Sequence, residues 1–402
     1  MTDASVVESG TSGGEGMQAA TLSHLTSGQE RQRRHAALRA AMNRAGLDAV
    51  VVCGRGDEFV RGRIQYVSDI FQWAGWGFVV LPAKGEPVYV GDPLWGTARA
   101  EAAGWLTEYR LTLTPGEEIA GILDDFGLAN GSVGLVGIAD AGSAVHIRAL
   151  ETSAPGVRFE DATDLFDDIK IVKSTEEIAA LRQTSAILRR VFGALAAEIR
   201  PGVPESDVLA EAHRLARQYG CLDGIAIMGR PPFRFFGAGS PVPIQREDVV
   251  VIDLEWGGPS GYWLELRRCY SFGEPSDEVK RFWELRRENF AACVEAIRPG
   301  ATSDAILAAR DASYIRAGYP PAEGLRYSAH GIGLDSLEPP WVPGKERVLK
   351  EGMVLSLHPD VVIADASARA RLGGISVADN VLVTATGAER LTDPEIEWVT
   401  LS

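Results

Sequence analysis

The chain has 402 residues, 46% of them hydrophobic and 24% charged, with a formal net charge of −15. That is the composition of an ordinary folded protein of two or three domains at roughly 150 residues each, and the acidic balance excludes a broad basic face for nucleic acid. Four widely spaced cysteines (Cys53, Cys221, Cys269, Cys293) exclude a disulfide framework or a structural zinc site, and six histidines leave few candidates for imidazole chemistry.

Residues 1–29 are rich in Gly, Ser and Thr, with no basic stretch leading into an apolar one. A flexible leader is expected there, not a secretory signal. No apolar run reaches about 18 residues, so no membrane helix and a cytoplasmic location are expected. Residues 30–46 carry a helical pattern that stops at Gly46. DAVVVCG (48–54) reads as a buried strand and GWGFVVLPAKGEPVYVGD (75–92) as a hairpin turning at 83–86. LTEYRL and SVGLVGI continue the strand–helix alternation to about residue 165, as in a small α/β domain.

Ser174 followed by Glu177 forms a capping box, which predicts a helix over 175–198. A second helix is predicted over 204–219, closed by Gly220. The segment IRPGVPESDVLA (199–210) recurs 98 residues later as IRPGATSDAILA (297–308). Ile, Arg, Pro, Gly, Leu and Ala coincide, and each copy follows a long helix and opens a shorter one. A duplicated domain with a cleft between its halves is expected. DVVVIDLEW (248–256), the turn GGPSG and YWLELRRCYSF (262–272) read as a hairpin. SAHGIGLDSLEPP (328–340), EGMVLSLHPDVVI (351–363) and GGISVADNVLVTATG (373–387) follow as further strands.

Strand alternation places Val249, Val251, Asp253 and Glu255 on one face, and Trp263, Glu265 and Arg267 on a face of the return strand. An Asp inside VVVIDL needs a partner. Two acids on paired strands suit acid/base or metal chemistry. They equally suit a turn cap at Asp253 and an ion pair of Glu265 with Arg267 or Arg268. His330 lies in AHGIG, where glycines permit close backbone approach. His358 lies in LSLHPD, inside an apolar strand, and there needs a partner such as Asp360 or Glu265.

The order ID-turn-GY-x-x-acid-x-x-R, HGIG, GMVLSLxP and VADNVLVT resembles the pita-bread fold of creatinase, prolidase, aminopeptidase P, methionine aminopeptidase and ectoine hydrolase. The segment IKIVKSTEEIAALRQTSAI resembles the helix that leads into that fold. The resemblance implies an α+β protein: a creatinase-type N-terminal α/β domain over 30–165, then a pita-bread catalytic domain over 166–402 with an internal pseudo-twofold repeat. It also implies a homodimer in which the N-terminal domain reaches the partner's active site.

The family's peptidases hold two metal ions with Asp, Asp, His, Glu and Glu. By the resemblance those positions are Asp253, Glu265, His330, His358 and Ala378. Two carboxylates are too few to neutralise two divalent cations. Leu337 stands where the peptidases place a second His, and 235–248 lacks the His that creatinase uses. The expectation is therefore a metal-independent hydrolase, without cofactor, that cleaves a C–N bond in a small amino-acid-like, guanidino or amide substrate. Its catalytic groups would be Glu265, His330, His358 and Asp253. One alternative is a single divalent ion on Glu265, His330 and His358, or a lyase on the same fold; another is a non-catalytic, partner-binding protein. Substrate-binding candidates beside the site strands are Arg267, Arg268, Tyr262, Phe235, Glu338 and Asp360. By the same resemblance, Arg61, Arg63 and Trp73, part of a basic-aromatic cluster, would bind a carboxylate or cap the pocket; the alternative is that Trp73 and Trp76 are ordinary core. Neither nucleic acid nor membrane is an expected partner.

Overall fold

The computed structural model describes residues 26–94, 96, 105–233, 236–321, 328–339, 348–392 and 398–402. The first helix, α1 (Gly28–Ala45), starts where the Ser27 hydroxyl accepts from the Glu30 N–H and stops at Gly46, whose φ of 72° favours glycine. Thr26 already donates to Asp69 through its N–H and its hydroxyl, at 3.3 and 2.9 Å. Residues 26–29 thus belong to the folded body and not to the expected leader; 1–25 lie outside the described residues.

The N-terminal part is a six-stranded sheet in the order β4-β3-β2-β1-β5-β6. Its strands are β1 (Ala49–Arg55), β2 (Trp76–Pro82), β3 (Val88–Gly91), β4 (Glu108–Leu111), β5 (Ser132–Val136) and β6 (Arg158–Asp161). The expected hairpin is present, with β2 antiparallel to both β1 and β3. The runs VVVC, FVVL and VGLV are apolar without alternation because helices cover both faces. α3 (Pro115–Asp125) and α5 (Ala144–Ser153) pack on one side, while α1, α2 (Gly62–Ser68) and α6 (Thr163–Lys170) join the larger core on the other. The short α4 (Ile138–Ala141) follows β5.

The capping box at Ser174 and Glu177 opens α7 (Thr175–Leu195), three residues shorter than expected. There follow α8 (Glu205–Gln218), β7 (Asp223–Gly229), β8 (Val249–Gly257), β9 (Trp263–Phe272), α9 (Asp277–Ala296), α10 (Ser303–Arg316), β10 (Ala329–Gly331), β11 (Val354–Leu357), α11 (Ala366–Leu372), β12 (Asp379–Val383), β13 (Ala388–Arg390) and β14 (Trp398–Leu401). They form two four-stranded sheets, β14-β9-β8-β7 and β10-β11-β12-β13. No helix among the described residues is long and apolar enough to cross a membrane.

The duplication read from IRPG is structural. α8 and α10 each span 14 residues and start 98 positions apart. Before them, Gly202 and Gly300 have positive φ and donate to Ile244 O and Leu349 O at 2.8 and 2.9 Å. Ile244 and Leu349 donate back to Val203 O and Ala301 O. Nine residues beyond each of these anchors stand Asp253 and His358, so the two halves bring them to corresponding places. His358 falls just past the end of β11, not inside a strand, and its N–H donates to Ser328 O at 2.9 Å.

Two buried devices fix this arrangement. Asn380 on β12 bonds both backbone groups of Glu265 on β9, donating to its carbonyl at 2.7 Å and accepting from its N–H at 3.3 Å. The loop after β10 is clamped by Lys170, which reaches Asp335 Oδ2 at 2.7 Å and Glu338 Oε1 at 2.5 Å, and by Lys173, which reaches Glu338 Oε2. Gly62 N–H at the start of α2 donates to the other oxygen of Asp335 at 2.5 Å.

Burial alone would raise the Glu338 carboxyl, but the Lys170 and Lys173 charges hold it down at about 2. A carboxyl held below its unfolded value stabilises the fold fully above the ordinary range, near 4.5, and loses that contribution as pH falls towards 2. Glu338→Gln is expected to cost about 3–5 kcal/mol at pH 7, because it leaves buried lysines uncompensated. It should also flatten the fall in stability below pH 4.5. Urea unfolding at pH 7 and pH 3 checks this; equal midpoints for variant and wild type at pH 7 would refute the clamp.

Candidate functional site

The register of β8 against β9 sets Asp253 opposite Arg267 and Glu255 opposite Glu265, all on one face. The Arg267 guanidinium fills the space between the two acids. Its Nε and Nη2 donate to Asp253 Oδ2 at 2.9 and 2.5 Å, and Nη2 also reaches Glu265 Oε1 at 3.2 Å. Nη1 donates to Asp360 Oδ2 at 2.6 Å and to Ser376 Oγ at 2.7 Å. Every N–H of the head is engaged, and the Phe236 ring lies 5.1 Å from its central carbon.

The other oxygen of Glu265 faces the second sheet. Oε2 accepts from the Ser356 hydroxyl at 2.6 Å and lies 3.3 Å from His330 Nε2 and 3.7 Å from His358 Nε2. The two imidazole rings are 5.2 Å apart. His330 Nδ1 lies 2.9 Å from Gly331 O, a carbonyl that can only accept, so Nδ1 carries a proton.

Burial penalises charge on every group, and the neighbours decide the outcome. For His330 burial is outweighed by the bond and charge of Glu265 and by the charge of Glu255, so its pKa rises. For His358 burial wins, assisted by His330 and Arg267, and its pKa falls. Burial would raise Glu265, but His358, His330 and Arg267 hold it well below the carboxylate range. Burial raises Asp253, with Arg267 opposing and Glu265 adding. Burial and the charge of Glu265 bring Glu255 up to about 7. Glu255 also accepts from the Ser336 hydroxyl at 2.6 Å. The sequence reading put Glu255 on this face without a role; its place opposite Glu265 was the available signal.

Glu265, His330 and His358 therefore converge as expected, each offering one ligand atom within 4.8 Å of the others. A metal pair does not fit these residues. Asp253 Oδ2 is taken twice by Arg267, and Ala378 is buried without a ligand atom. Among the described residues, the donors that could hold one ion are the two imidazoles and Glu265.

Several expected substrate-binding residues have other work. Arg267 is committed within the site, and Asp360, still 36% exposed at its side chain, is its partner. Arg268 points to the opposite face of β9, with its guanidinium over the Phe192 ring. Tyr262 is in the core, donating to Glu177 at 2.8 Å and accepting from Arg34 at 2.7 Å. Glu338 has both oxygens in the lysine clamp. Arg61 pairs with Asp223 at 2.6 Å, and Arg63 with Asp140 and Asp167, both at 2.8 Å. Releasing Arg63 to a substrate would strand the buried Asp167. Trp73, at 49%, is open to solvent. Phe235 lies outside the described residues, and its neighbour Phe236 is the ring over Arg267.

Residues 179–385 match metallopeptidase family M24, and residues 34–182 match the creatinase/prolidase N-terminal domain. The chain is 27% identical over 364 residues to the Xaa-Pro dipeptidase of Pyrococcus horikoshii, covering 89% of this chain and 96% of that one. It is 23% identical over 400 residues to the ectoine hydrolase of Halomonas elongata, covering 89% and 93%. The crystal structure of dipeptidase PepE from Mycobacterium ulcerans superposes with a TM-score of 0.74 at 28% identity, over 93% of this chain and 98% of that one.

The electrostatics predict that His330 titrates above the ordinary value of 6.5 and His358 below it. Glu265→Gln removes the negative charge that supports His330 and should move its titration downward. Imidazole NMR across pH 5–9 reads both sites, and His330 deprotonating before His358 in the wild type would overturn the assignment.

Proposed function

We propose that this chain, which belongs to metallopeptidase family M24, is a metal-independent hydrolase that cleaves a C–N bond in a small amino-acid-like, guanidino or amide substrate. The observation that carries this reading is the Arg267 guanidinium seated between Asp253 and Glu265. A fixed cation already neutralises the acids that would otherwise need a metal pair. The names of two relatives, a dipeptidase and a hydrolase of ectoine, agree with hydrolysis at a C–N bond. The proposal includes the division at about residue 165. It also includes a homodimer in which exposed Trp73 reaches the partner's site.

In this reading neutral His358 is the base. It takes a proton from water as the water oxygen attacks the electrophilic carbon of the substrate. His330, kept protonated by Glu265, gives its proton to the leaving nitrogen as the C–N bond breaks. Glu265 lies within reach of both imidazoles and returns the proton from His358 to His330. Asp253 acts through Arg267, fixing the guanidinium that holds Glu265 in its ionised form.

A second reading has one divalent ion on Glu265, His330 and His358, and the convergence of their ligand atoms favours it. Such an ion would polarise water or a substrate oxygen. The two readings separate by experiment. Protein purified without chelator should carry no stoichiometric metal by elemental analysis. It should also keep its turnover of a panel of N-acyl amino acids, guanidino acids and Xaa-Pro dipeptides after chelation. His358→Ala and Glu265→Gln should each lower kcat about 10²–10⁴-fold. A stoichiometric metal that disappears in His330→Ala would replace the first reading with the second. Full turnover in both His358→Ala and Glu265→Gln would end both.

A further inference from the structure

A cavity of about 270 Å³ lies at the edge of the sheet β14-β9-β8-β7, apart from the acid/base groups. Its walls include Trp398 and Thr400, which share a face of the outer strand β14, and Trp283 and Glu284 of α9. Glu274, in the turn before α9, and Lys280 complete the lining used below. In the parallel pairing of β14 with β9, Trp398 stands beside Cys269 and Thr400 beside Ser271. Ser271 is four residues beyond Arg267, so about 13 Å of strand separates the cavity from the site. The volume is at the small end of ligand sites.

The two indoles give the cavity its character. Their ring centres are 5.5 Å apart and their planes are inclined at 72°, so they turn π surface in two directions. Trp283 is buried in the core, and Trp398 is half-buried against it. Trp398 Nε1 donates to Ser271 Oγ at 2.8 Å, and that hydroxyl donates to Gly273 O at 2.8 Å. The bond fixes the ring and uses its single donor, so Trp398 offers a ligand only carbon surface and π density. The carboxylates of the lining are loosely held. Glu274 pairs with Lys280 at 2.8 Å, and Glu284 pairs with Arg287, outside the lining, at 3.2 Å. Both pairs are exposed, and such pairs are weak. Two acids against one lysine leave the lining negative. Aromatic surface beside negative charge selects a cation. A primary ammonium would compete with Lys280 for the same oxygens and needs acceptors for three N–H groups. A quaternary ammonium needs none and can rest its methyl groups on the rings.

We propose that this cavity binds a quaternary ammonium group, with its methyl groups against Trp283 and Trp398 and its charge facing Glu274 and Glu284. The group belongs to a free small molecule and not to a lipid, because the phosphate of a lipid headgroup would meet the same two carboxylates. This second binding site stands whether or not the hydrolase reading holds.

The test compares choline with 3,3-dimethylbutan-1-ol, which has the same shape without the charge. Binding is read by saturation-transfer NMR and by the indole N–H signal of Trp398, assigned through Trp398→Phe. Wild type should bind choline saturably and the alcohol about 5-fold or more weakly. Trp398→Leu should erase the preference, and Trp398→Phe, which keeps a ring, should retain part of it. Glu274→Gln and Glu284→Gln leave the rings in place and should each weaken choline about 2-fold without changing the alcohol. Equal binding of choline and the alcohol by the wild type overturns the proposal, and so does an unchanged preference in Trp398→Leu. Should Trp398→Leu fail to fold, unchanged choline binding in both glutamine variants overturns it instead. Binding to phosphatidylcholine vesicles without binding to choline also overturns it. His358→Ala should bind choline as the wild type does; loss of binding there would put the ligand among the acid/base groups and end the proposal, whereas failure of the hydrolase reading would appear in turnover alone.

Discussion

The buried guanidinium of Arg267 is the interaction on which the site depends. Two acids on paired strands, Asp253 and Glu265, are held out of water and need positive charge close by. Arg267 supplies it at 2.5 Å from Asp253 and 3.2 Å from Glu265. An arginine differs from a metal ion in two ways that matter here. It stays charged and cannot exchange, and its planar fork spends each N–H on a defined acceptor. It therefore divides Glu265 in two: Oε1 faces the guanidinium, while Oε2 is left for Ser356 and the two imidazoles. That division turns a charge-neutralising carboxylate into one that tunes a histidine pair.

The fold supplies the stiffness this needs. Glu265 lies on β9 of one sheet, while His330 and His358 are carried by β10 and the end of β11 in the other. Such a site is only as well defined as the seam between the sheets. Asn380 closes that seam like one more ladder pair, bonding both backbone groups of Glu265. The loop behind His330 is tied from outside by Lys170 and Lys173, and Gly62 carries the tie into the N-terminal part. Buried ion pairs are weak evidence of net stability. Their effect here is geometric, since each lysine reaches a carboxylate on the loop whose glycines set the position of His330.

Local features were legible in the sequence because their signals are local. The capping box at Ser174, the hairpin across GGPSG and the repeated IRPG each depend on neighbouring residues, and each has its structural counterpart. The gathering of Glu265, His330 and His358 was also legible, through the order of strand motifs. Partner choice was not. Arg267 reads as a partner of Glu265 or a substrate-binding cation, and its bond to Asp360, 93 positions away, appears only in the fold. Tyr262 looks like a site residue beside the turn, yet its hydroxyl is committed to Arg34, 228 positions away. Arg61 and Arg63 suggest a ligand-binding patch, and each closes on an acid that only folding brings near. Residue type and strand face can be read along a chain; saturation of a hydrogen-bonding head cannot.

The duplicated halves make the asymmetry of the site intelligible. Asp253 and His358 stand the same distance beyond matching anchors, so the fold offers two comparable positions beside one cleft. With Arg267 filling the first half, Asp253 has its cation, and Glu265 and Asp360 share it. A second acid at the position of His358 would face Glu265 Oε2 with no cation assigned to it, because Arg267 has no N–H to spare. It would raise Glu265 by like-charge repulsion and compete for the proton on His330. A neutral imidazole avoids both effects and adds a base. The charge of Arg267 in one half thus sets what the matching position of the other half can carry, and His358 is compatible with it because burial depresses its pKa, with His330 and Arg267 adding to the effect against Glu265 and Asp360.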